Sequence, residues 1–158
     1  MTPAIEILKK QAINYQVHKY QGKDQGEGYG LAAANALQVN PDHLFKTLVI
    51  STETNSSTLA IAMIPVSNQL SLKAVANMLG WKKAVMASQP KAQSATGYIL
   101  GGISPLGQKT PLPMVIDQSC HQLETIYVSA GRRGMQISLA TLDLIALVNA
   151  VSARITVE

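Results

Sequence analysis

Lys46 is the residue of this sequence whose surroundings most limit what its side chain can do. It stands in FKTLVI, where strand alternation puts Phe45, Thr47 and Val49 on one face and Lys46, Leu48 and Ile50 on the other. A strand apolar on both faces is expected to be covered on both sides. The lysine then points toward an enclosed or pocket-lining region, where its ammonium needs an anionic partner. The alternative on pattern alone is a lysine near a strand end that extends its charge to water.

A second unusual feature is GGISPLGQ, residues 101–108. Adjacent glycines after the apolar triplet YIL allow close backbone approach, and free N–H groups in such a turn can bind an oxyanion or a phosphate. A proline and a further glycine then fix the loop shape. A purely structural turn has the same signature. The spacing is neither that of a dinucleotide-binding fingerprint nor that of a P-loop. Arg132 and Arg133, between Gly131 and Gly134, suit either a phosphate-backbone contact or a solvated hairpin tip. Ser129, just before that turn, could place a hydroxyl at the edge of a site.

Other chemistries lack their residues. His18, His43 and His121 are scattered, and Cys120 has only His121 beside it, so no metal-ligand spacing is present. Cys120 and His121 cannot make a nucleophile–base dyad by adjacency, because neighbouring side chains on a strand face opposite ways. No GxSxG elbow and no HExxH occurs. Catalysis, if present, rests on positioning and electrostatics.

These residues need elements to hold them. Thr2–Pro3 reads as an N-cap followed by proline at the first helical position, with Ile5, Leu8 and Ala12 on one helical face. YQVHKY, 15–20, alternates as a strand, QGKDQGEGYG is a polar glycine-rich loop, and LAAANALQV is a second helix. Phe45–Ser51 and Thr58–Val66 are strands joined by a polar turn. Leu72, Val75, Ala76 and Leu79 mark a helix that Gly80 ends. Short strands are expected over 83–87, 98–100, 114–116, 125–129 and 135–139, with AGRRG as a hairpin turn, then a helix over 141–149 and a closing strand over 154–157. Strands and helices do not alternate regularly, which predicts an α+β domain on a mixed or barrel-like sheet rather than a doubly wound fold.

The 158 residues suit one domain, 1–158, and the 4% aromatic content requires a core of Val, Ile, Leu, Ala and Met. No apolar run reaches the length of a membrane helix, and the N-terminus lacks the charged and apolar regions of a signal peptide. The single cysteine excludes an intramolecular disulfide and fits a reducing, cytoplasmic setting. A net charge of +4 favours an anionic partner such as nucleic acid, through counterion release.

With FKTLVI, TGYILGGISPLGQ and ETIYVSAGRRG in this order, the chain resembles the YbaK family of aminoacyl-tRNA deacylases, relatives of the editing domain inserted in bacterial prolyl-tRNA synthetases. The resemblance runs from TPAIEILKK to the last hairpin. It implies a single α+β domain with a mixed, barrel-like central sheet flanked by helices. It also implies hydrolysis of mischarged tRNA, Cys-tRNA(Pro) foremost, with no metal or organic cofactor.

The family lysine maps to Lys46, at the phosphate or ester end of the terminal adenosine. The GGxxPxG loop maps to Gly101, Gly102, Pro105 and Gly107, with Ser104 inside it, cradling the aminoacyl ester. Tyr20 and Ser129 match further pocket positions. Cysteine removal in the family is assisted by the substrate's own thiol, which would explain the lack of a protein nucleophile. Aminoacylated tRNA is the implied partner, prolyl-tRNA synthetase a candidate second one, and no membrane is involved. Ala130 stands where related hairpins often have a second glycine, and Gln136 where an acidic residue is common. The alternative is a non-catalytic tRNA- or nucleotide-binding module using the same pocket.

Overall fold

The structure, a computed structural model, describes residues 1–21, 26 and 28–158. Much of the polar loop expected over 21–30 therefore lies outside the described residues. Helix α1 (Pro3–Lys10) starts as its sequence predicts: Thr2 Oγ1 accepts the Ile5 amide at 3.3 Å and donates to the Ala130 carbonyl at 2.5 Å. The cap thus fastens the helix to a distant strand. Ala4, Ile5 and Leu8 are buried, while Ala12 falls beyond the helix with φ 55°.

Strand β1 (Tyr15–Lys19) and helix α2 (Tyr29–Leu37) follow, then β2 (Phe45–Ser51) and β3 (Leu59–Pro65). The β2–β3 pair is antiparallel, in register from Phe45 opposite Pro65 to Ser51 opposite Leu59. After α3 (Leu72–Leu79), the short β4 (Val85–Met86) pairs only with Ile50 and Ser51, at one end of β2. Strand β5 (Met114–Asp117) lies parallel to β3, and β8 (Val151–Ala153) parallel to β5. The resulting mixed sheet has the order β4-β2-β3-β5-β8.

A second, antiparallel sheet has the order β1-β7-β6, from β6 (Thr125–Arg132) and β7 (Met135–Ala140). A parallel bridge between Leu44 and Tyr127 joins the sheets, the Tyr127 amide donating to the His43 carbonyl at 3.0 Å. The expected mixed sheet is present, but it is not closed into a barrel. With β4 at one end of β2 and the Tyr127 bridge at the other, the stretch Lys46–Leu48 between them takes no strand partner on that side among the described residues. No helix among the described residues is long and apolar enough to cross a membrane.

Every residue of β3 is buried. One face of its sheet packs Phe45, Val49, Ile61 and Met63 against Ile126, Val128 and Ile137 of the second sheet. The other packs Ile50, Ala60, Ala62 and Ile64 against Val75 and Ala76 of α3. This two-sided cover is what the doubly apolar pattern of FKTLVI requires.

Two expected elements differ, and one helix forms where none was expected. QPKAQSAT forms helix α4 (Gln89–Thr96), capped by the Ser88 hydroxyl, which accepts the Lys91 amide at 3.4 Å. Residues 98–100 form no strand: Tyr98 is buried and Ile99 and Leu100 stand exposed in a turn after α4. The closing strand lies at β8, earlier than 154–157, and is followed by a single bridge from Thr156 to Leu70. Helix α5 (Thr141–Val148) is where its sequence places it.

Candidate active site

The unpaired edge of β2 opens into a cavity of about 240 Å³. Along β2 the main-chain groups alternate in direction. Leu44 accepts from Val66 on the β3 side, and Val49 accepts from Ala87 on the β4 side. By the same alternation the N–H and C=O groups of Thr47 point away from β3, toward the open edge. Lys46, Gly101 and Ser129 line this cavity together, with Gln136 and Thr47 beside them. The lysine and the glycine turn, 55 positions apart in sequence, meet in one cleft.

Among the described residues Lys46 has no carboxylate partner, and none of those lining the cavity is acidic. Burial alone lowers its ammonium below the ordinary lysine range, because a charge withdrawn from water without a counterion is disfavoured. Two further buried polar atoms of cavity-lining residues, Gln136 Oε1 and Thr47 Oγ1, have no hydrogen-bond partner among the described residues. A cation and two unsatisfied side-chain oxygens in a half-enclosed cleft are groups that a ligand carrying both an anionic group and hydrogen-bond donors would satisfy.

The glycine loop divides into two halves with different neighbours. Residues 99–102 form a type II turn, closed by the Gly102 amide donating to the Ile99 carbonyl at 2.9 Å, with Gly101 at φ 86°. A Cβ on Gly101 would stand 2.9 Å from both Tyr29 Cδ2 and Arg133 Nε, so a side chain fits neither the conformation nor the space. The Gly101 amide has no partner among the described residues. Gly102, expected to share the work of holding an oxyanion, spends its N–H on the turn.

The second half of the loop faces elsewhere. Ser104 Oγ, fully buried, accepts the Leu106 amide at 3.2 Å. Pro105 is buried, and the backbone at Gly107 lies against Pro3 and Ala4 of α1. Ser104, Pro105 and Gly107 were expected to contact substrate. None of the three lines the cavity, and of them Gly107 packs against the start of α1.

Ser129 Oγ accepts the Gly131 amide at 3.2 Å within the bulge between Ser129 and Arg132, which leaves its hydroxyl proton available to the cavity. Tyr20 does not line the cavity itself; its hydroxyl accepts from Gln136 Nε2 at 3.5 Å. Arg132 is exposed, with its backbone against Gly102. Arg133 is no loose hairpin tip: its Nε donates to the Leu100 carbonyl at 2.8 Å, and its guanidinium lies 4.7 Å from the centre of the Tyr29 ring. Ala130 is fully buried in the core, so its methyl has a packing role. Cys120 is buried while His121 is exposed and bonded to Ser152 at 2.8 Å, so the adjacent pair parts company.

Sequence reasoning did not single out Tyr29 or Thr47. Tyr29 ends a polar loop and gives no periodic signal. Thr47 neighbours Lys46 on the opposite face of β2, and only the open strand edge brings both to the cavity.

A model of the aminoacyl-tRNA editing domain matches residues 30–147 of the chain. A protein of Enterococcus faecalis, named provisionally as the Cys-tRNA(Pro)/Cys-tRNA(Cys) deacylase EbsC, is 33% identical over 157 residues, which cover 99% of this chain and 94% of that one. A solved structure named provisionally as a trans-editing enzyme for prolyl tRNA synthetase superposes with a TM-score of 0.83 at 19% identity, over 100% of this chain and 99% of that one. A protein from computational grafting of linear epitopes onto scaffolds superposes at 0.85, also at 19% identity, over 99% of this chain and 96% of that one. At such identities the two structures show a common fold.

Proposed function

Because this chain belongs to the aminoacyl-tRNA editing domain family, we propose that it hydrolyses the ester joining a small, wrongly attached amino acid, cysteine on tRNA(Pro) foremost, to the 3′ end of tRNA. The observation that carries this reading is the meeting of Lys46 and the Gly101 amide, neither with a partner among the described residues, in one small cavity. The name given to the Enterococcus relative supports the choice of cysteine.

Lys46 offsets phosphate charge near the terminal adenosine. The Gly101 N–H and the Ser129 hydroxyl donate to the carbonyl oxygen as it becomes an oxyanion, and loss of one such donor costs roughly 2.7–4 kcal/mol of transition-state stabilisation. The attacking oxygen is that of a bound water: it bonds to the carbonyl carbon, the C–O bond to the ribose breaks, and a proton ends on the ribose oxygen. For a cysteinyl ester the substrate's own thiol can attack the carbonyl carbon instead. The C–O bond to the ribose then breaks as a cyclic thioester forms, the thiol proton ends on the ribose oxygen, and water opens the thioester to free cysteine. Neither route needs a nucleophile from the protein.

Prolyl-tRNA synthetase is the proposed second partner, supplying tRNA identity, and the cytoplasm the proposed setting. The test is release of free amino acid from Cys-, Ala-, Ser- and Pro-tRNA(Pro), each with and without the synthetase. Cysteine release that Lys46→Ala abolishes supports the reading. Binding of charged tRNA without release would assign a binding module instead.

A further inference from the structure

Arg133 is exposed at the β6–β7 turn, where an arginine ordinarily extends into water. Here it is held twice, by the Leu100 carbonyl and by the Tyr29 ring face. The Leu100 carbonyl and the Gly101 N–H belong to the same peptide unit, the central one of the type II turn. That peptide is trans, so its C=O and N–H point in opposite directions. A cationic donor fixed on the carbonyl side therefore directs the N–H the other way. Gly101 itself lines the cavity.

We propose that Arg133 is a positioning residue: seated on Tyr29, it holds the Leu100–Gly101 peptide so that the Gly101 N–H faces the cavity as an oxyanion donor. The central peptide of a type II turn can flip to the type I arrangement, and glycine at the third position of the turn tolerates either state. Such a flip would turn the N–H out and the carbonyl in. The charge-assisted bond at 2.8 Å opposes it, because the Leu100 carbonyl would leave the guanidinium. It also polarises the peptide and strengthens the N–H as a donor. The planar guanidinium spans ring and carbonyl at once; an ammonium on a flexible stem does not.

The rate part of this inference rests on the deacylase reading, whereas the orientation of the amide does not, so two readouts are needed. The first is single-turnover deacylation of Cys-tRNA(Pro) at saturating protein. Arg133→Lys keeps a positive charge for any phosphate contact, yet the saturating rate is expected to fall about ten- to hundred-fold, part of the loss of a full oxyanion donor. Half-saturation and the salt dependence of tRNA binding should stay as in wild type. Tyr29→Leu, which removes the ring face under the guanidinium, should fall with Arg133→Lys.

A wild-type rate in Arg133→Lys, or a salt slope reduced by about one in Arg133→Met, would make Arg133 a phosphate contact and overturn the proposal. The second readout is the Gly101 amide itself, by nitrogen-15 shift and hydrogen exchange in tRNA-free protein. Both should move in Arg133→Met and Tyr29→Leu. An unmoved amide in both variants overturns the proposal even if wild type releases no amino acid. A moved amide in a protein that releases none upholds the clamp and overturns the deacylase reading alone.

Discussion

Gln136 Nε2 donates to the Tyr20 hydroxyl at 3.5 Å, while Gln136 Oε1 is buried and has no partner among the described residues, in a side chain that lines the cavity with Lys46. A buried acceptor without a donor lowers stability by about 1–3 kcal/mol. Such a group persists where a ligand supplies the donor. Replacing Gln136 by the similarly sized, apolar Met should therefore raise the urea midpoint, by about 1 kcal/mol in stability, and lower single-turnover deacylation at least ten-fold. Lower stability with unchanged activity would make Gln136 an ordinary core residue.

Lys46 should show its protonation in the pH profile. Burial disfavours its ammonium, so the folded-state pKa lies below the ordinary value of 10.5. Activity that needs the ammonium is complete below the folded pKa and disappears as pH rises through it, earlier than for an exposed lysine. The stability sign is opposite. Between the folded and the ordinary value the unfolded chain binds more protons, so Lys46's contribution to stability rises with pH across that interval. Lys46→Met should abolish activity and remove the rise, which deacylation rates corrected for spontaneous ester hydrolysis, together with urea midpoints across alkaline pH, would check.

Much of the site was legible in the sequence because its parts sit in local signals: Lys46 interrupts an apolar strand, and Gly101 follows an apolar triplet. What was not legible depends on tertiary geometry. Thr47 reaches the cavity only because β4 is too short to cover its strand edge, a fact of pairing that no residue of FKTLVI encodes. The polar segment QPKAQSAT lacks an apolar period, and only Ser88 with Pro90 hints at a capped helix.

The triplet at 98–100 misled for a related reason. An apolar run suits a strand or a turn equally, and here Tyr98 turns inward to donate its hydroxyl to the Leu106 carbonyl at 2.6 Å while Ile99 and Leu100 face out. The two-sided division of the glycine loop was hidden as well, since Gly107 looks like Gly101 until α1 is folded beside it.

Cys120 is expected to be inert in the native protein. It is fully buried, and burial, with the nearby Asp117 carboxylate adding to it, pushes its thiol up to about 11. The thiolate that reacts with disulfide reagents is thus scarce at neutral pH and out of reach. Labelling should be negligible over hours in buffer at pH 8 and stoichiometric within minutes in denaturant. Rapid native labelling that also removes deacylase activity would reopen the case for a protein nucleophile.

Gly101 and Gly107 offer a comparison that separates function from stability. Both have positive φ, 86° and 67°, so alanine is strained at either. At Gly107 the added Cβ would stand 2.6 Å from the carbonyl carbon and oxygen of Pro3, main-chain atoms of a helix start that Thr2 fastens to Ala130. Neither partner can give way cheaply, and Gly107→Ala should lose about 2–4 kcal/mol, the left-handed penalty plus overpacking. The cavity is untouched, so the saturating rate per folded molecule should match wild type. At Gly101 the Cβ meets two side chains, Tyr29 and Arg133, which can move aside, so Gly101→Ala should cost less stability. Moving them releases the carbonyl that Arg133 holds, and the rate should fall by the amount seen for Arg133→Lys. Urea melts and single-turnover rates on the two variants, measured side by side, should therefore rank in opposite orders. The same order in both would mean that the two halves of the loop act as one unit.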